Sequence, residues 1–145
     1  MTASARRASP RAAAACPCGS GAPYSRCCRA FHLRTDDPPT AEALMRSRYS
    51  AYAKGLDAYL HHSWHPDTRP AAVELDARHR WIGLTVVSTS AGGPDDATGT
   101  VEFVAAFEID RGLGARRGEL REVSEFARLG TDERNRWVYV GETAT

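Results

Sequence analysis

The placement of the cysteines constrains this chain more than any other feature of its sequence. All four lie between positions 16 and 28, and the rest of the 145 residues contain none. Disulfides would tie distant segments of the chain together, whereas thiols this close in sequence suit one metal ion. The sequence therefore predicts a small metal-binding segment with four ligands: Cys16, Cys18, Cys27 and Cys28.

The spacing of the cysteines favours zinc. They form two short pairs, Cys16-x-Cys18 and Cys27-Cys28, and the turn Gly19-Ser20-Gly21 follows the first pair. A glycine turn lets the backbone fold back so that the two pairs meet around a tetrahedral ion. A site closed by four thiolates leaves no position for water. We therefore expect one zinc ion, Zn²⁺, with a structural role.

A redox-active pair and cysteines without a shared role are the alternatives to a metal site. A bridge between Cys27 and Cys28 would be a strained disulfide between neighbours, and the chain lacks the Cys-x-x-Cys spacing of thioredoxin-like proteins. The metal site is therefore favoured over both alternatives.

The overall composition does not require a polyanionic partner, although local charged patches remain open. The chain is 42% hydrophobic and 26% charged, with a formal net charge of +1, so bulk electrostatics do not indicate binding to nucleic acid or to an anionic membrane. No stretch approaches the ~18 to 20 apolar residues of a membrane span, and the N-terminal region lacks the apolar stretch of an export signal. We expect a cytoplasmic protein, in which thiols stay reduced.

The chain divides into three parts. Residues 1–15 are small and basic, which predicts a disordered tail. The cysteine segment covers 16–32, and the turn-rich stretch 35–39 contains two prolines and acts as a linker. A second domain is predicted over 40–145.

Hydrophobic periodicity predicts helices in the first half of this domain. Thr40 is suited to cap a helix that ends at Gly55. Its apolar residues recur at helical spacing: Met45, Tyr49, Tyr52 and Leu56. A shorter helix is predicted over 57–64, and a third over 70–80.

From Trp81 onward the period changes to that of strands. The stretch 81–88 is rich in β-branched residues, and 100–109 alternates so that one face is strongly apolar. Two more strands are predicted over 120–129 and 137–140. Helices followed by antiparallel strands predict an α+β fold, in which a curved sheet of four or more strands packs on about three helices.

The cysteine segment resembles the SEC-C motif found at the C-terminus of the SecA translocation ATPase. The resemblance rests on Cys16-Pro17-Cys18-Gly19-Ser20-Gly21, on Tyr24, and on Cys27-Cys28. In SecA this zinc motif contacts the chaperone SecB and the ribosome. The resemblance therefore implies a protein or ribosome-type partner for this segment.

The remainder resembles the uncharacterised YchJ-like bacterial family. Five separated blocks carry the resemblance: Leu44-Met45-Arg46-Ser47-Arg48-Tyr49-Ser50-Ala51-Tyr52, Trp64-His65-Pro66, Trp81-Ile82-Gly83-Leu84, Phe103-Val104-Ala105-Ala106-Phe107 and Trp137-Val138-Tyr139-Val140. It implies an NTF2-like domain, a cone of helices and a curved sheet, after the SEC-C motif. This agrees with the α+β fold that periodicity predicts.

Glu122 is a candidate for chemistry. Alternate residues of the third predicted strand share one face: Leu120, Glu122, Ser124 and Phe126. A carboxylate among apolar neighbours has a raised pKa or a cationic partner, here Arg46 or Arg48. Glu122 is then either a general acid or base in a pocket or one half of a buried ion pair. The ion pair is favoured, and it predicts that Glu122→Ala destabilises the protein.

His65 and a set of aromatic residues give further candidates. The titration range of His65 suits proton transfer, although a histidine before proline at a helix end is more often a cap or a hydrogen-bonded core residue. Seven residues are candidates to line a pocket, although aromatic residues at regular spacing more often form core. They are Arg46, Tyr49, Tyr52, Trp64, Trp81, Trp137 and Tyr139.

Two hypotheses of function follow. The sequence contains no glycine-rich phosphate loop, serine nucleophile elbow or HExxH helix. The first hypothesis is a non-enzymatic, zinc-binding interaction protein whose SEC-C-like segment docks on a protein or ribonucleoprotein partner. The second is a small-molecule-binding protein or acid/base enzyme that uses an NTF2-like cavity. A sealed cone would exclude the second hypothesis, and an open polar cavity of ~300 Å³ or more would favour it.

Overall fold

The computed structural model describes residues 14–131 and 133–143, so the tail predicted over 1–15 falls almost wholly outside the described residues. The described part contains three α-helices, a short 3₁₀ turn at Tyr24–Arg26, and four strands. The helices are α1 (Arg29–His32), α2 (Ala41–Lys54) and α3 (Asp57–His62). The strands are β1 (His79–Ala91), β2 (Thr98–Asp110), β3 (Ala115–Arg128) and β4 (Trp137–Glu142).

Helix α2 begins and ends where local chemistry predicts. The Thr40 hydroxyl accepts a hydrogen bond from the Ala43 N–H at 3.0 Å, which caps the first turn. Gly55 follows the last turn with φ 75°, a left-handed conformation that glycine adopts without steric cost. The helix buries Leu44, Met45 and Tyr49 against the sheet.

Helix α3 ends at His62, two residues before the predicted end. The chain then runs beside β4, since the Tyr139 N–H donates to the Ser63 carbonyl and the His65 N–H donates to the Tyr139 carbonyl, both at 2.8 Å. Backbone pairing with β4 replaces the last helical turn. None of the described helices is long and apolar enough to span a membrane.

The helix predicted over 70–80 is wrong. Residues 70–78 contain no helix, and β1 begins at His79. The Asp76 carboxylate accepts a hydrogen bond from the Arg78 N–H at 2.9 Å, a local turn that competes with helix formation. Val73 packs against a small core cluster, but Leu75 is exposed, so this stretch has no continuous buried apolar stripe that would hold a helix against the domain.

The four strands form one antiparallel sheet in the order β1-β2-β3-β4, which confirms the predicted α+β fold. Register shifts in β1 between Trp81 and Gly83, and between Val86 and Ser88, bend the sheet as β-bulges do. Alternate residues of the sheet pack with α2 in one core cluster. Its strand members are Val101, Phe103, Ala105, Phe126 and Trp137.

Candidate metal centre and cavity

The four cysteine sulfurs lie at the spacing of a tetrahedral metal site. All four Sγ atoms are within 4.8 Å of one another. Cys27 Sγ is 3.6 Å from Cys18 Sγ and 3.9 Å from Cys28 Sγ. A tetrahedron with metal–sulfur bonds of ~2.3 Å has edges of roughly 3.8 Å. All four cysteines are free thiols, and three are buried, so donor type and spacing both fit a metal ion.

The glycine turn brings the two cysteine pairs together. Gly19 and Gly21 have φ of 80° and 89°, which other residues adopt only with strain. The Cys16 N–H then donates to the Ala22 carbonyl at 2.8 Å and closes the turn. Ser20 Oγ lies 3.2 Å from Cys27 Sγ, a contact that orients this ligand from outside the cluster.

The thiols are too close together to ionise independently. The contact with the Cys28 thiol lowers the pKa of Cys18 to about 4. The same contact, together with burial, raises the pKa of Cys28. A metal cation would replace the shared protons and stabilise all four thiolates at once.

Two side chains attach the cysteine segment to α2. Arg46, which pairs with Glu42 at 3.0 Å, donates from Nη1 to the Cys18 carbonyl at 2.7 Å. His32 Nε2 donates to the Ser47 carbonyl at 2.8 Å, so its Nδ1 accepts the hydrogen bond from the Tyr24 hydroxyl at 2.7 Å. The metal-binding segment is therefore fixed against α2 rather than freely tethered to it.

A cavity of about 230 Å³ lies between α2 and the inner face of the sheet. Four of the seven predicted pocket residues line it: Tyr49, Tyr52, Trp81 and Tyr139. The other three do not. Arg46 contacts the cysteine segment, Trp64 packs edge-on against Tyr139, and Trp137 is buried in the core.

Arg48 supplies the cation of this cavity; the sequence left the choice between Arg46 and Arg48 open and placed Arg46 among the candidate pocket residues. The residue lines the cavity and is only 6% exposed. Its Nη1 donates to the Leu60 carbonyl at 2.9 Å and to Ser63 Oγ at 2.7 Å. Its guanidinium carbon lies 4.9 Å from the Trp64 ring centre and 4.4 Å from that of Tyr139. Burial lowers the pKa of Arg48 to about 10, so the group still carries its charge at neutral pH.

Glu122 faces the cavity, as the alternation of β3 predicts, but its predicted ion pair is wrong. Among the described residues neither Arg46 nor Arg48 forms a salt bridge with it. Arg46 forms its salt bridge with Glu42, and Arg48 donates a hydrogen bond to the Leu60 carbonyl near the end of α3. Burial raises the pKa of Glu122, and the nearby Glu142 carboxylate raises it further.

His65 does not line the cavity that contains Glu122. Its Nδ1 accepts a hydrogen bond from the Asp67 N–H at 3.0 Å, within the turn that follows α3. Its backbone N–H bonds to β4. The structure thus places the two candidate acid/base residues in different environments, with only Glu122 in the cavity.

Replacing Glu122 by glutamine is expected to raise the free energy of unfolding at neutral pH. Because the folded-state pKa of Glu122 is raised, ionisation of Glu122 destabilises the folded parent protein. This destabilisation begins as the pH rises above the ordinary pKa of 4.5 and is complete above the folded-state pKa. Below 4.5 both states are protonated and the difference vanishes. Urea unfolding of parent and Glu122→Gln, at neutral pH and at about pH 3.5, measures this.

Glu125→Gln is the matched control, because Glu125 lies on the exposed face of the same strand. Glu125→Gln should show no comparable pH-dependent increase in the free energy of unfolding. A Glu122→Gln protein that is less stable than the parent at neutral pH would contradict the conclusion that Glu122 is buried without a cationic partner. It would support the predicted ion pair instead.

Comparisons with known proteins bear on both regions. Residues 40–142 match the family described as "YchJ, middle NTF2-like domain", and residues 14–30 match the SEC-C motif. A UPF0225 protein of Streptomyces avermitilis is 45% identical over 127 residues, which cover 88% of this chain and 82% of that protein. A UPF0225 protein of Chromobacterium violaceum is 47% identical over 133 residues, covering 90% and 93%.

Two solved structures share the fold. The solution structure of a SEC-C motif containing protein from Rhodopseudomonas palustris has a TM-score of 0.72 and 32% identity, and covers 90% of this chain and 98% of its own. The crystal structure of a SEC-C motif containing protein from Psychrobacter arcticus has a TM-score of 0.64 and 25% identity, covering 90% and 82%. Because 90% of the chain is more than the sheet domain alone contains, both similarities extend beyond that domain.

Proposed function

Since this chain belongs to the UPF0225 family of YchJ-like proteins, with a SEC-C motif and an NTF2-like middle domain, we propose that it is a zinc-binding, non-enzymatic interaction protein. Its SEC-C segment docks on a protein or ribonucleoprotein partner, and zinc holds the docking surface in shape. The observation that carries this proposal is the cluster of four thiols within 4.8 Å of one another. Four protein ligands complete a tetrahedron, so such a site stabilises structure and leaves no position for a substrate.

The expected metal content is one zinc ion per chain, because four ligands make one tetrahedral site. Metal analysis of the purified protein by mass spectrometry measures it. Cys18→Ser removes a buried ligand and should lose the metal, whereas Ser25→Ala, an exposed change in the same segment, should keep it. Iron in place of zinc, or a cysteine segment that stays folded without metal, would contradict the assignment.

The outer surface of the segment supports docking. Arg26 and Arg29 flank the second cysteine pair and are exposed, and Leu33 at the end of α1 is 55% exposed. None of these side chains belongs to the four-cysteine cluster. A basic surface with an apolar residue suits an acidic protein surface or the phosphates of a ribonucleoprotein.

Affinity capture from cell lysate tests the docking. We expect a partner that binds the parent to be lost from Cys27→Ser and also from the double variant Arg26→Ala/Arg29→Ala, whose zinc content stays at one per chain. The matched control is Arg111→Ala/Arg116→Ala, which removes the same charge from exposed positions near the β2–β3 turn. A partner retained by both cysteine-segment variants, or lost equally from the control, would argue against docking through this surface.

A further inference from the structure

The cavity beneath α2 contains a buried cation that has no anionic partner among the described residues. We propose that this cavity binds a small aromatic monocarboxylate, with the ligand carboxylate held by Arg48 and its ring packed among the aromatic side chains of the wall. This site is separate from the metal centre, and the proposal does not depend on the docking function.

The bonding of Arg48 leaves donors for a ligand. A guanidinium has five N–H donors; Nη1 donates to Leu60 O and Ser63 Oγ, and the Tyr52 hydroxyl also lies close enough to interact with the group. The donors on Nε and Nη2 form the planar edge that binds a carboxylate in two parallel hydrogen bonds.

A charged group this deeply buried is costly unless an anion compensates it. The arginine is 6% exposed, and no carboxylate of the described residues lies within ion-pair distance of it. Glu122 shares the cavity but forms no ion pair with Arg48, so it does not supply the compensating anion. A ligand carboxylate would therefore supply the missing counter-charge.

The wall and volume of the cavity define the rest of the ligand. Most lining side chains are aromatic or aliphatic, and six of them carry rings: Tyr49, Tyr52, Trp81, Phe103, Phe126 and Tyr139. The volume of about 230 Å³ corresponds to roughly eight water-sized groups at ~30 Å³ each. This is below the ~300 Å³ at which pockets for drug-sized molecules begin. A ligand with a single ring and one carboxylate, the size of benzoate, suits both the apolar wall and the volume of the cavity.

Three probes of similar size that differ in charge distinguish recognition of the carboxylate from simple filling of the cavity. Benzoate, benzyl alcohol and benzylamine are titrated separately into the zinc-loaded protein while amide resonances are followed by NMR. We expect benzoate to shift resonances of cavity residues and to bind about tenfold or more tightly than benzyl alcohol. Tighter binding of benzylamine would overturn the proposal and assign recognition to Glu122. Absence of cavity shifts with benzoate at millimolar concentration would also overturn it.

Two variants and a control locate the site. Arg48→Gln should weaken benzoate binding about tenfold or more. Because Arg48 is buried and its loss could prevent folding, Ala105→Leu serves as a second variant that fills the cavity and leaves Arg48 in place. It should also weaken benzoate binding at least tenfold. Arg121→Gln, which removes an exposed arginine from β3, should change the affinity less than twofold. Unchanged benzoate affinity in natively folded Ala105→Leu would overturn the proposal.

Discussion

Removing the metal with a chelator is expected to open the cysteine segment while the sheet domain stays folded. The binding of Zn²⁺ to zinc-finger peptides releases roughly 10 to 16 kcal/mol of free energy. In a segment this small, the binding free energy supplies the free energy of folding. The buried residues of the segment are chiefly its own ligands, Cys16, Cys18 and Cys28. The main core cluster, formed by α2 and the sheet, includes none of them.

Hydrogen exchange measured by mass spectrometry, with and without chelator, tests this result. Amides of 16–32 should lose protection, and amides of β2 should keep theirs. Cys28→Ser should reproduce the effect of the chelator, whereas Arg26→Ala should not. Since Arg46 and His32 bond the segment to α2, a small loss of protection near Ser47 is also expected. Cooperative unfolding of the whole chain on chelation would show instead that the segment is part of the main core.

The elements that the sequence predicted correctly are those governed by neighbouring residues. Thr40 and Gly55 determine the ends of α2 through contacts within one turn. The alternation of β2 and β3 predicted which side chains face inward, Glu122 included. The helix over 70–80 failed because a pattern of residues cannot show whether its apolar side chains have anything to pack against. Leu75 has no such surface.

The same distinction applies to the candidate sites. The four cysteines were identifiable because all the ligands are close together in sequence. The cavity depends on how α2 meets α3 and the sheet. Positions 46 and 48 lie on different faces of one helix, so only one of the two arginines can face inward. The choice of Arg48 depends on Leu60 O and Ser63 Oγ, contacts that exist only in the folded chain.

Truncating Trp137 is expected to be among the most destabilising single changes in the sheet domain. Its side chain is 1% exposed, belongs to the main core cluster, and donates from Nε1 to the Pro39 carbonyl at 3.2 Å. Trp137→Ala removes the largest fully buried side chain and leaves a void, which costs about 3 to 5 kcal/mol. Urea unfolding followed by circular dichroism measures the loss.

Trp81 provides the matched comparison, because the sequence placed both tryptophans in one pocket and the structure separates them. Trp81 is half-buried and lines the cavity, so Trp81→Ala should cost less, about 1 to 2 kcal/mol. Trp137→Phe, which keeps most of the buried ring, should recover much of the stability lost in Trp137→Ala. Equal losses of unfolding free energy in the two alanine variants would show that Trp137 contributes no more to the core than Trp81 does. They would support the sequence-based assignment of Trp137 to the pocket.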